Sequence, residues 1–125
     1  MFIPNLGFIL LFVANPSKSA EFYRDILGLK SVEESPTFVM FPLKNGVMLG
    51  LWSQYTAEPS VKSLPGAMEI GFPTENVDVL YESLGKKGVT IIQKPTDMDF
   101  GWTFTFTDPD GHRIRIYKLN GKNEQ

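Results

Sequence analysis

Apolar positions along the chain alternate between two periods. Phe8 to Val13 is almost continuously apolar (FILLFV), which predicts a strand buried on at least one face. Asn15-Pro16-Ser17 then supplies helix-start chemistry, because Asn or Ser side chains accept from the free N–H groups of a first turn. A helix is predicted over about residues 18–27, where Ala20, Phe22/Tyr23 and Ile26/Leu27 recur at helical spacing, and Gly28 ends it. Strands are predicted at about 31–34, 37–43 and 47–52. The last two are joined by Lys44-Asn45-Gly46, where Asn-Gly is a hairpin signal.

The second half repeats this order. A strand at about 68–74 precedes a helix at 77–86 carrying Val77, Leu80, Tyr81 and Leu84 on one face, with Gly85 and Gly88 as terminators. Three strands follow at about 89–93, 102–107 and 113–119. Phe41 and Phe106, Gly46 and Gly111, Gly50 and Arg115, and Trp52 and Tyr117 are each 65 positions apart. The pattern is two tandem βαβββ units, at about residues 7–55 and 67–119 of a single domain spanning 1–125. The expected fold class is α+β, a curved mixed sheet around a cavity, because each unit alone leaves one sheet face uncovered.

Composition narrows the function. A formal charge of −2 gives no electrostatic case for nucleic acid or anionic membrane as a partner. Cysteine is absent, which removes disulfides, thiolate metal sites and thiol nucleophiles and suits a cytoplasmic location. The N-terminal apolar run is too short for a membrane span and has no basic residue ahead of it, so a buried strand is preferred over a signal peptide. Ten Phe, four Tyr and two Trp make 13% of the chain, which suits either a Phe-rich core or a ring-lined cavity. No Ser-His pair, phosphate loop or Rossmann glycine pattern is present.

The βαβββ repeat, FYRDILGLK at Phe22 to Lys30 and DPDGHRIRI at Asp108 to Ile116 resemble the vicinal-oxygen-chelate superfamily, which includes glyoxalase I, extradiol dioxygenases and bleomycin-resistance proteins. FVMFPLKNGVMLGLW, EIGFPT and TFTDPDGHRIRIY resemble more narrowly its phenazine-binding antibiotic-resistance branch. The resemblance implies a homodimer with units completing two equivalent clefts. It also implies four metal-ligand positions, which the internal repeat places at Phe8, Gly50, Glu69 and Arg115. Divalent ions need lone-pair donors, whereas phenylalanine and glycine side chains offer none and a guanidinium only donates. His112, the one histidine, falls on the strand face opposite Arg115 and is expected at the surface. The expectation is therefore no metal, no cofactor and no catalytic residue.

Glu69 and Arg115 are expected to pair, since either charge buried alone costs several kcal/mol. Around them, Trp52, Phe8, Phe38, Met48, Trp102 and Phe104 are expected to present rings and soft side chains, with Met40 alternating beside them. Gly50 would leave room for a planar ligand, and Asp99 would sit at a rim formed by the loop 95–102. Trp52 would stack, Glu69 and Asp99 would meet a polar or cationic edge, and Arg115 a carboxylate. The preferred function is metal-independent sequestration of a planar aromatic small molecule, such as a phenazine-like or bleomycin-like antibiotic. The alternatives are a metal-dependent glyoxalase-type lyase, isomerase or dioxygenase with atypical ligands, and a dimeric module with no ligand.

Overall fold

The computed structural model describes residues 2–121 and divides between Pro65 and Gly66 into two compact units. The first contains β1 (Phe8–Val13), α1 (Pro16–Leu27), β2 (Glu33–Glu34), β3 (Phe38–Pro42) and β4 (Met48–Ser53). The second contains β5 (Glu69–Pro73), α2 (Val77–Lys86), β6 (Thr90–Met98), β7 (Gly101–Thr107) and β8 (Arg113–Leu119). Each unit is therefore βαβββ. The fold class is α+β, with two helices and two mixed four-stranded sheets.

The sheets share one topology, β1-β4-β3-β2 in the first unit and β5-β8-β7-β6 in the second. In each, the first strand runs parallel to the last and the remaining pairs are antiparallel. The internal repeat extends to the register: Leu10 opposes Gly50 in the first unit, and Gly71 opposes Arg115 in the second.

Local chemistry explains the helix of the first unit. The Asn15 side chain accepts from the Lys18 N–H at 3.2 Å, Pro16 opens the first turn, and Gly28 at φ 69° closes the last. Strand alternation then does the sorting. Leu11, Val13, Val39, Phe41, Leu49 and Leu51 face α1 and are at most 1% exposed, packed with Ala20 and Tyr23. In the second unit the equivalent layer is Ile70, Phe104, Phe106, Ile114 and Ile116, with Val77 and Leu84 buried on α2.

The sequence pattern misplaces one element. Residues 95–102 are not a loop: β6 continues to Met98, and Asp99-Phe100 forms a tight turn into β7. Pro95 fits because β6 is an edge strand and its register shifts between Gln93 and Thr96. Gly85 lies within α2, and it is Gly88, at φ 83°, that follows its end. Among the described residues no helix is long and apolar enough to cross a membrane.

Leu51→Ala should destabilise the protein by about 2–5 kcal/mol through lost burial and a residual cavity. Val79→Ala, at a side chain 69% exposed on α2, should change stability by less than about 0.5 kcal/mol. Urea denaturation of both variants measures the difference.

Candidate ligand-binding site

With one face of each sheet packed on its helix, the other face carries the remaining side chains. In the first unit these are Phe8, Leu10 and Phe12 on β1, Phe38 and Met40 on β3, and Met48, Gly50 and Trp52 on β4. Phe8 is 52% exposed and Trp52 part-exposed. The Trp52 ring lies 6.2 Å from that of Phe38, edge-on at 85°, and 6.2 Å from that of Phe12. Phe8, Leu10, Phe38 and Trp52 form the apolar wall of a groove of about 470 Å³. Glu33, Ser35 and Thr37 give it a polar rim.

Gly50 does not leave the vacancy expected of it. A Cβ there would meet Leu10 Cδ2 at 2.5 Å and the Phe38 ring at 3.2 Å, so these two side chains already fill the space. The glycine lets them close over the strand. Met48 shares this face and is part-buried, opposite Phe8 and Pro42.

The open face of the second unit is polar. Glu69 opposes Arg113 across the β5–β8 pair, with Arg115 two residues further along the same face. Arg115 Nε donates to Glu69 Oε2 at 2.8 Å, and Arg113 Nε donates to Glu69 Oε1 at 2.8 Å. Arg115 Nη1 donates to Gln93 Oε1 at 2.9 Å and Thr103 Oγ1 at 3.2 Å, while the Thr105 hydroxyl donates to the same Gln93 oxygen at 2.9 Å. The Glu69–Arg115 ion pair is thus present, and Arg115 keeps 14% of its side chain exposed.

Hydrogen bonding from Arg115 holds the Glu69 carboxyl below its ordinary value of 4.5, against partial burial, which pushes it up. The charges of Arg115 and Arg113 add to the lowering, as does the hydrogen bond from Arg113.

Three expected placements are corrected. Trp102 and Phe104 lie on the helix-facing side of β7, not with Arg115. Phe104 is fully buried with its ring 5.3 Å from that of Tyr81 on α2, and the Trp102 indole N–H donates to Asp78 Oδ1 of the same helix at 2.8 Å. The reason is parity: Thr103 and Thr105 oppose Tyr117 and Arg115, so the even-numbered residues of β7 face the other way. His112 is buried at 4% exposure, its Nδ1 accepting from the Gly66 N–H at 3.2 Å. Asp99 is exposed in the β6–β7 turn, where its backbone oxygen accepts from the Asn120 side chain at 2.9 Å.

Sequence reasoning left Arg113, Gln93, Thr103 and Thr105 out of the site. Arg113 was findable from its two-residue spacing to Arg115. The other three depended on the register of β6, β7 and β8.

The residues at the four ligand positions implied by the resemblance do not fit a divalent ion. Both Glu69 oxygens accept from arginines, and Arg115 places a cation where a ligand would stand. Among the described residues no three His, Cys, Asp or Glu side chains converge on a point.

Comparison with known proteins agrees with this architecture. The family model of the Glyoxalase/Bleomycin resistance protein/Dioxygenase superfamily matches residues 5–116. The phenazine antibiotic resistance protein EhpR of Enterobacter agglomerans is 37% identical over 94% of this chain and 92% of its own. The metallothiol transferase FosB of Staphylococcus haemolyticus is 31% identical over 92% of this chain and 84% of its own. The solution structure of protein ATC0852 from Agrobacterium tumefaciens is 43% identical, with a TM-score of 0.84 over 95% of this chain and all of that one.

The pH dependence of stability follows from the Glu69 shift. A carboxyl with a depressed folded-state pKa stabilises the protein above its unfolded value, here 4.5, and that contribution is lost as pH falls through the folded value. Glu69→Gln should therefore lower stability at neutral pH and flatten the loss of stability below pH 4.5, measured as denaturation midpoint against pH.

Proposed function

The chain belongs to the Glyoxalase/Bleomycin resistance protein/Dioxygenase superfamily, and within it we propose a protein that binds and sequesters a planar aromatic small molecule of the phenazine type without a metal. The carrying observation is the ring-lined groove of the first unit, whose volume of about 470 Å³ falls in the range of small-molecule pockets. A flat polycyclic ligand gains most from offset or edge contacts with rings, and Trp52 and Phe38 offer both a face and an edge. Sequestration requires affinity alone, and none of the groove's side chains forms a nucleophile–base pair. The similarity to EhpR, a phenazine antibiotic resistance protein by name, supports the ligand class.

A second reading, metal-assisted transfer chemistry, is favoured by the similarity to FosB. It is opposed by the unsuitable donors at Gly50 and Arg115.

We take the working protein to be a cytoplasmic homodimer. Support comes from the exposed apolar side chains of Phe2, Ile3 and Leu6, which association would cover. Sedimentation should give twice the chain mass of 14.1 kDa, and a monomer mass would reject the assembly.

Trp102→Phe leaves Trp52 as the only tryptophan. Titrating that variant with phenazine-1-carboxylic acid after chelator treatment should quench fluorescence saturably. Calorimetry on Trp52→Ala should show a loss of about 2 kcal/mol, some thirtyfold in affinity. Absence of quenching, together with stoichiometric metal and turnover of a thiol or hemithioacetal substrate, would replace sequestration by the enzymatic reading.

A further inference from the structure

Among the described residues, methionine stands at positions 40, 48, 68 and 98. Met40 and Met48 are half-buried, whereas Met68 and Met98 are 42% and 39% exposed. Exposure does not distinguish these two thioethers, but their surroundings do. The Met98 sulfur accepts from Gln93 Nε2 at 3.4 Å and from Arg115 Nη1 at 3.9 Å. The Met68 sulfur accepts no hydrogen bond from any described residue.

The Gln93 amide is oriented by its oxygen. Oε1 accepts from Arg115 Nη1 and from the Thr105 hydroxyl, each at 2.9 Å, so the NH2 group is left to face Met98. These side chains share one sheet face: Gln93 opposes Thr105, and Met98 lies two residues beyond Thr96, which opposes Thr103. A thioether sulfur is a weak acceptor, so the two donors gain little from it in the reduced protein. A sulfoxide at the same place would offer them a strongly polar oxygen.

We propose that Met98 is a peroxide-oxidised methionine whose sulfoxide is received by Gln93 and Arg115. A sulfur lone pair attacks one oxygen of hydrogen peroxide; the S–O bond forms and the O–O bond breaks. The departing hydroxide takes the proton carried by the transferred oxygen and leaves as water. Sulfur loses two electrons and the peroxide gains them. Negative charge gathers on the peroxide oxygens in the transition state, where N–H donors beside the sulfur are worth more than in the ground state. The same donors then hold the product. The Gln93 NH2 turns to the new oxygen, and Arg115 Nη1 meets it while still facing Gln93 and Thr103. Oxidation thereby reaches the Glu69–Arg115 pair by converting a soft contact into a polar one. It does not depend on the ring-lined groove of the first unit or on the function proposed for it.

The test exposes the full chain to hydrogen peroxide and follows each methionine by peptide mass spectrometry. Met98 should oxidise about fivefold faster than Met68, the effect of one hydrogen bond of ordinary strength made in the transition state. In denaturing urea the two should react at one rate. Gln93→Glu keeps an acceptor for Arg115 and Thr105 but removes the N–H donor, and should bring Met98 down toward the Met68 rate. In the oxidised protein the Gln93 side-chain amide protons should move downfield, a response that oxidation of Met68 alone would not produce. Equal rates in the folded protein, a slower Met98, or a difference that persists in urea would overturn the proposal. So would an unchanged Met98 rate in a folded Gln93→Glu variant, or an unmoved Gln93 amide resonance in protein oxidised at Met98.

Discussion

One helix covers one face of each four-stranded sheet, and everything else about this protein follows from the face that remains. Strand side chains alternate, so the residues facing α1 or α2 are free to be uniformly apolar, as Leu11, Leu49, Leu51, Phe104 and Phe106 are. That packing sets the register. The opposite face is then released from the demands of the helix interface and can differ between units sharing one topology. In the first unit it carries Phe8, Phe38 and Trp52; in the second it carries Glu69, Arg113 and Arg115.

The same rung of the repeat shows the divergence most sharply. Gly50 and Arg115 hold equivalent places in β4 and β8, each opposite the third residue of the first strand of its unit. At Gly50 the absence of a side chain admits Leu10 and Phe38, which pack over the strand. At Arg115 a long cationic side chain is held on Glu69, Gln93 and Thr103. Neither arrangement suits a divalent ion, for opposite reasons: one supplies no donor atom and the other supplies a competing cation. On one shared scaffold, the open face of the first unit carries rings and that of the second carries charge.

Conformational detail supports this division. The arginine network is built from groups on all four strands of its sheet, so a slip of β6 or β7 by one residue would turn Gln93 or Thr103 to the helix side. Trp102 illustrates the consequence: one position from Thr103, it faces α2 and spends its N–H on Asp78.

Much of the architecture was legible in the chain itself. The continuous apolar run of β1, the two-residue alternation of β8, the helical spacing of Ala20, Tyr23 and Leu84, the Asn15 and Gly28 caps and the constant spacing between repeats depend on local physics, and those elements formed where the pattern put them. The pairing of Glu69 with Arg115 was legible too, because a half-buried charge needs a partner and the repeat placed the two on neighbouring strands. What tertiary structure alone decided was the face assignment of β7, the continuation of β6 through Pro95, the closing of Leu10 and Phe38 over Gly50, and the burial of His112 against Gly66. Each depends on register or on contact between residues far apart in sequence. An apolar strand such as β7, with threonines and rings in alternation, satisfies local propensity with either face inward, and only the packing of Tyr81 and Asp78 from α2 chooses between them.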